Sequence, residues 1–226
     1  MAGRKTFVAS EILTAADVNS FLMDQSVMVF DDSAARTTAI PTPTEGMVTY
    51  LKSDDQVTVF DGAAYKPVGG LVAVKDVLKT DTFSASVTGG GNVAVTGLSI
   101  THEVQDPANK LIITGVFGFV ATSTADARTG VAIDDGSGFL QTPSSPGSRA
   151  AVMMAGRTGG TSNQTHLSHT LTVVHTPGAG SKTYSMKLIN SSGSTHTLYL
   201  NRVDNDVDSI ERPRGVSALI IQEVAV

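Results

Sequence analysis

The 226-residue chain contains no cysteine and no tryptophan. Without cysteine there is no disulfide framework, no thiolate nucleophile and no cysteine-held structural zinc. Aromatic residues make up 5% and charged residues 16% of the chain, and the formal net charge is −5. That balance lacks the basic footprint of a sequence-independent nucleic-acid binder, so no nucleic-acid partner is expected. Long apolar runs are missing too. The longest candidate, Leu111 to Val120, is interrupted by Thr114, Gly115 and Gly118, far short of the roughly 20 residues a membrane helix needs. No membrane insertion is therefore expected. Arg4 and Lys5 are followed by Phe7-Val8-Ala9-Ser10-Glu11, where a secretory signal would place its apolar core.

What is abundant is threonine (27), serine (22) and glycine (22), set among valine-rich runs. This composition favours pleated strands joined by tight turns. The exception is near the amino terminus. Thr14 is placed to cap a helix with Asp17 in its first turn, and Val18, Phe21, Leu22 and Gln25 follow at i, i+3, i+4 and i+7, an amphipathic spacing. Such a helix is marginal alone in water, so its stripe, continued by Met28 and Phe30, needs a surface to pack on. Residues 31–45 read as a connector, with a turn at Asp31-Asp32-Ser33 and extended backbone around Pro41 and Pro43. Gly46–Leu51 and Gln56–Phe60 then read as a hairpin, and Asp61-Gly62 as a turn into a third short strand at Tyr65.

Gly69-Gly70 marks a boundary. Residues 1–70 carry 5 basic and 9 acidic side chains, and residues 71–226 carry 11 and 12. Leu71–Lys79 reads as a strand or a short helix. Nine strands follow, at Thr82–Thr88, Asn92–Ser99, Lys110–Ala121, Ala127–Asp134, Arg149–Ala155, His169–His175, Lys182–Ile189, Thr195–Val203 and Val216–Val224. The expected fold is mainly β: a helix and small β-hairpin module over 1–70, then an antiparallel sandwich of jelly-roll type over 71–226. Leu111-Ile112-Ile113 with Val116-Phe117, and Leu219-Ile220-Ile221, are nearly continuous apolar runs, as in strands covered on both faces. A sandwich covers only one face of each strand, so an oligomer is expected, with the outer face covered by another subunit.

Catalytic motifs are missing: there is no Gly-x-Ser-x-Gly elbow and no phosphate-binding Gly-x-x-x-x-Gly-Lys. Gly89-Gly90-Gly91 reads as a hairpin turn. His169 and His175 share a strand face about 20 Å apart, with His166 pointing away, so one chain does not gather them around a metal. Asp204-Asn205-Asp206-Val207-Asp208 opens like a calcium loop, but Ser209 and Gly215 stand where that loop wants glycine and a bidentate glutamate. A solvated acidic turn is the simpler reading. Paired carboxylates for glycoside cleavage depend on spatial separation, yet the chain has few aromatics from which to build a sugar platform. The expectation is no enzyme activity, no cofactor and no metal.

The segment Phe7-Val8-Ala9-Ser10-Glu11-Ile12-Leu13-Thr14-Ala15-Ala16-Asp17-Val18-Asn19-Ser20-Phe21-Leu22, continuing to Phe30, resembles the amino-terminal segment of bacteriophage minor tail and fibre proteins. Ala35-Arg36, Ile40-Pro41, Pro43, Glu45-Gly46-Met47-Val48, Tyr50-Leu51 and Phe60-Asp61-Gly62-Ala63-Ala64-Tyr65 extend the resemblance through a small β module. Tyr65 stands where the family often has tryptophan. The second half is similar to carboxy-terminal virion domains with a tumour-necrosis-factor-like or complement globular-head-like jelly roll. The matching pieces are Val77–Ser84, Val95–Thr101, Thr183–Leu188 and Arg214–Ile220.

The resemblance implies a virion structural protein: a tail fibre or receptor-binding protein that docks to other virion proteins through residues 1–70 and forms a homotrimer. Its carboxy-terminal loops would face a host surface glycan or protein. It implies Val18, Phe21 and Leu22 as docking contacts and Leu219 and Ile221 as trimer contacts. The loops Gly136–Gly147 and Thr158–Thr165 are the expected recognition surface. A head fibre or capsid decoration protein is the alternative within this class, and a surface-glycan hydrolase the alternative outside it.

Overall fold

A computed structural model describes residues 8–18, 26–124, 127–141, 143, 147, 149–157, 166–210 and 212–225. The chain divides into two units, Met1–Gly70 and Leu71–Val224.

In the first unit, α1 (Ala15–Asp17) opens with a capping box. The Thr14 side chain accepts from Asp17 N, and the Asp17 carboxylate accepts from Thr14 N and Oγ1, satisfying donors that a helix start leaves orphaned. Val18 caps its end and is half-buried; Phe21, Leu22 and Gln25 lie outside the described residues. The expected helical stripe does not extend to Met28 and Phe30. These form β1 (Met28–Phe30), which runs parallel to β2 (Val48–Leu51) with Val29 opposite Tyr50. β2 pairs antiparallel with β3 (Gln56–Phe60), and β3 with β4 (Tyr65–Pro67).

The expected turn at residues 31–33 is instead the start of a helix, α2 (Ser33–Ala39). Asp32 accepts from Ala35 N at 2.8 Å, so the aspartate that looked like a turn residue is an N-cap. The helix stops at Ile40, where Pro41 disfavours further helical backbone.

One face of α2 packs on the small sheet through Arg36. Arg36 is buried, lies 3.7 Å from the centre of the Tyr65 ring and donates to Thr58 Oγ1 at 3.0 Å. Tyr65 in turn packs on Phe60 at 5.1 Å. The Asp61 carboxylate closes the turn between them by accepting from Ala63 N (2.9 Å) and Ala64 N (2.7 Å). Those two hydrogen bonds hold its pKa below the ordinary carboxylate value. Gly62 takes φ +97° at the turn tip, a backbone region that costs glycine little.

The second unit is an antiparallel sandwich. One sheet runs β10 (Met154–Arg157), β9 (Arg128–Asp134), β12 (Gly180–Asn190), β7 (Asn92–Val104). The other has β8 (Lys110–Thr122) at its centre, flanked on one side by β11 (Leu167–His175). On the other side, two strands share the length of β8. β14 (Ser217–Val224) pairs with Lys110–Val116, and β13 (His196–Leu200) with Val120–Thr122. β5 (Leu71–Lys79) and β6 (Phe83–Val87) continue outward from β14 and β13. Leu71–Lys79 is thus a strand, and β7 runs five residues beyond its expected end at Ser99. Inward side chains such as Leu98, Ile133 and Met186 of one sheet meet Ile113, Phe117 and Leu219 of the other. Each fully buried side chain of this size contributes about 1.5–3 kcal/mol.

At one end of the sandwich a buried carboxylate ties three elements together. Glu223 Oε2 lies 2.7 Å from His102 Nε2, and Oε1 accepts from Asn109 Nδ2 (2.7 Å) and Gln105 N (2.8 Å). Burial pushes the Glu223 pKa up, but the hydrogen bonds from Asn109, His102 and Gln105 outweigh it and hold the group below its ordinary value. An ionised carboxylate only accepts, so His102 Nε2 carries the shared hydrogen.

Candidate interaction surface

Strand alternation gives the two outer faces of the sandwich opposite chemistry. On the sheet built around β8, cross-strand register aligns Leu78, Ala218, Val116 and Thr170 in one row. Asp76, Ile220, Thr114 and Thr172 form the next, and Val74, Gln222, Ile112 and Val174 the third. The members on β8 and β14, with Thr170 and Thr172 of β11, alternate with buried, inward-facing neighbours. Seven are aliphatic and only Asp76 is charged. Leu78, Val74 and Val174 are 61%, 52% and 53% exposed.

The opposite sheet presents Ser99, Thr101, Thr183, Ser185, Lys187 and Asp134 outward. Thr101 and Thr183 share a hydroxyl hydrogen bond of 2.8 Å, and Lys187 sits 3.9 Å from Asp134. Side chains of this kind satisfy themselves and water, whereas the seven aliphatic side chains of the other face have no polar group to do so.

Leu219 and Ile221, the expected contacts between copies, are fully buried in the chain's own core. The residues of β14 that face outward are Ala218, Ile220 and Gln222. The register therefore moves the candidate contact by one residue along the strand. Val18 lies in the first unit, and Phe21 and Leu22 fall outside the described residues.

The histidines are dispersed as the strand parity implies. His169 is buried, and burial pushes its pKa down. His175 is pushed down by burial against the opposing pull of Asp135, which lies 3.8 Å away. His166 stacks on Phe119 with ring centres 3.9 Å apart. Among the described residues no cluster of three or more His, Asp or Glu is placed to hold a metal.

Of the expected recognition loops, Thr158–Thr165 lies outside the described residues, as does part of Gly136–Gly147. The described start of the latter is a tight turn. Asp135 accepts from Ser137 N, Ser137 Oγ and Gly138 N, and these bonds keep its carboxyl below the ordinary range although burial opposes them. Behind it, burial first and the Asp135 charge second push the Tyr184 hydroxyl up to about 12.

Two features carry more than their sequence reading. One is Arg36, named there only within the resemblance; the local signal for its helix is Asp32 in the N-cap position. The other is the long connection between β13 and β14, whose acidic string reads as a solvated turn rather than a calcium loop. Two of its aspartates are committed elsewhere: Asp204 accepts from the Tyr199 hydroxyl, and Asp206 pairs with Arg214 at 2.7 Å.

No protein-family model matches the chain, and no curated protein matches it. Among solved structures it is similar to the infectious bursal disease virus Gx strain, at 13% identity and a TM-score of 0.31 over 74% of this chain and 43% of the other. A subviral particle of that virus's VP2 gives 12%, 0.34, 81% and 48%, and T=1 particles derived from the virus give 12%, 0.33, 81% and 46%. The chain spans less than half the length of these proteins. At identities and TM-scores of this size neither family nor function follows from the likeness.

Proposed function

We propose that the chain is a non-enzymatic structural and adhesion subunit of a tailed-phage virion, a tail-associated fibre or receptor-binding protein. Its first 70 residues dock to other virion proteins, and its sandwich assembles as a homotrimer with loops turned to the host surface. The observation that carries the assembly is the aliphatic outer face of the β5-β14-β8-β11 sheet beside a polar outer face on the other sheet. Apolar area removed from water contributes about 25 cal/mol per Å², and a rotationally closed ring of copies covers such a face on every subunit.

The three-fold number and the tail position come from the resemblance of residues 7–65 and of the sandwich strands to phage tail and fibre proteins. The contact of Arg36 with Tyr65 supports the first part, because it gives a packing reason for two of the motifs that carry the resemblance.

Cryo-electron microscopy of whole particles carrying an antibody fragment against the sandwich tests this reading. Density at the tail supports it. Density confined to the capsid replaces the tail assignment with a head fibre or decoration role, and absence from the particle overturns it. Release of reducing sugar from purified host envelope would instead favour a hydrolase.

A further inference from the structure

β13 ends at Leu200 and β14 begins at Ser217, and the connection between them is far longer than a hairpin requires. It borders an open cavity of about 400 Å³ whose described lining is Asp206, Val207, Asp208, Ser209, Arg212 and Arg214. Pockets for small ligands start at roughly 300 Å³, so the space fits one or two sugar rings.

The frame of the loop is held before any ligand arrives. Arg202 lies 4.8 Å from the centre of the Tyr199 ring and donates to the carbonyls of Val203 (3.0 Å) and Asp204 (2.6 Å). Arg214 is paired with Asp206, and Arg212 donates one N–H to the carbonyl of Asn205. A site whose frame is already fixed loses less entropy on binding.

These contacts leave polar capacity in the lining. Asp208 has no hydrogen-bond or ion-pair partner among the described residues, and Arg212 keeps further N–H groups. Among the described lining residues two aspartates and two arginines cancel in charge, so these side chains favour neither an anion nor a cation. An acceptor carboxylate and a donor guanidinium lining one cavity match a hydroxyl, which donates and accepts at once. Val207, half exposed, offers an aliphatic contact for a C–H face.

We propose that the cavity of the β13–β14 loop binds a neutral saccharide, with Asp208 accepting from and Arg212 donating to ring hydroxyls. This places the host-facing contact of the adhesion reading, on which it rests, at Asp206–Ser209, Arg212 and Arg214.

The test is protein-observed NMR on the full chain with D-glucose, D-galactose, N-acetyl-D-glucosamine, L-rhamnose and D-glucuronate. At least one neutral sugar is expected to shift amides within Asp206–Arg214. The variant Asp208→Ala should weaken that binding at least tenfold while its melting temperature stays that of the parent. D-Glucuronate should bind no better than D-glucose. The proposal is overturned by shifts confined to other loops, by no shifts with any neutral sugar, by unchanged binding in the variant, or by a preference for glucuronate. Sugar bound here by a chain that imaging places away from the host-facing surface overturns the adhesion reading and leaves the site standing. A host-facing chain with no response at this loop overturns the site alone.

Discussion

Ser217 donates its hydroxyl hydrogen to Asn201 Oδ1 at 2.7 Å, and both residues are fully buried at the seam where β13 ends and β14 begins. Asn201 Nδ2 donates to the carbonyls of Lys79 (2.9 Å) and Asp81 (3.0 Å), at the matching break between β5 and β6. Ser217 Oγ accepts from Gly118 N at 2.9 Å, in the middle of β8. One amide thus joins three strands where the ladder is interrupted. Asn201 holds φ +59°, a region asparagine enters more readily than most residues. Asn201→Ala leaves the buried Ser217 hydroxyl hydrogen without its acceptor, removes the amide donor from two carbonyls and keeps the strained backbone. We expect a loss of about 2–4 kcal/mol in urea unfolding, and no more than a few tenths would show the seam to be held by other means.

Gly118 belongs to the same seam for a steric reason. A Cβ there would stand 2.8 Å from Val216 N and closer still to its carbonyl oxygen. Backbone cannot retreat as a side-chain tip does, so Gly118→Ala should lower the melting temperature by several degrees. An unchanged melting temperature would mean that the loop before β14 shifts freely.

Glu223 predicts the acid response of the sandwich. Its folded pKa lies below the ordinary value, so it contributes stability that is present above the unfolded carboxylate pKa of about 4.3 and is lost as pH falls through the folded value. Thermal melts from pH 7 to pH 2 should show a fall that begins near pH 4 to 5. Glu223→Gln should be less stable at pH 7, by about 1–3 kcal/mol, and flatter across the acid range. Parallel curves for the two proteins would exclude Glu223 as a source of the fall.

Arg36 holds α2 on the small sheet through the Tyr65 ring and Thr58. Arg36→Met keeps much of the packing volume but removes both polar contacts. Amide protection across Val57–Phe60 should drop by about 1–2 kcal/mol while protection in β8 stays unchanged. Equal protection would make α2 a passive cover.

How much of this was legible in the sequence depended on whether the two faces of a strand differ in polarity. Strands with a polar face, such as Lys182–Ile189, were found close to their true bounds, as was the Gly46–Phe60 hairpin. β14 is apolar at Leu219, Ile220 and Ile221 alike, so alternation did not say which parity faces the core. Its one buried acid, Glu223, shares the inward parity of Leu219 and Ile221, because His102, Asn109 and Gln105 supply partners from 114 or more residues away. That tertiary compensation is invisible locally. β1 was equally hidden, since a three-residue parallel partner of β2 has no turn to announce it. The β13–β14 loop showed its charges but not their pairing.

The register makes neighbouring residues of β14 separable by experiment. Ile220→Asp, on the outer face, should disperse the assembly with little effect on subunit folding. Leu219→Ala, in the core, should cost about 2–5 kcal/mol. Ser99→Asp, on the polar face, should do neither. Sedimentation and urea unfolding of the three variants distinguish these outcomes, and an Ile220→Asp protein that assembles like the parent would remove this face from the interface.

The central claim, that the aliphatic face of the β5-β14-β8-β11 sheet is covered by further copies of the chain, is tested most directly by light scattering coupled to size exclusion at micromolar concentration. One chain has a mass of 23.4 kDa. The account predicts a single species of about 70 kDa, three times that mass. A species of 23.4 kDa would contradict it.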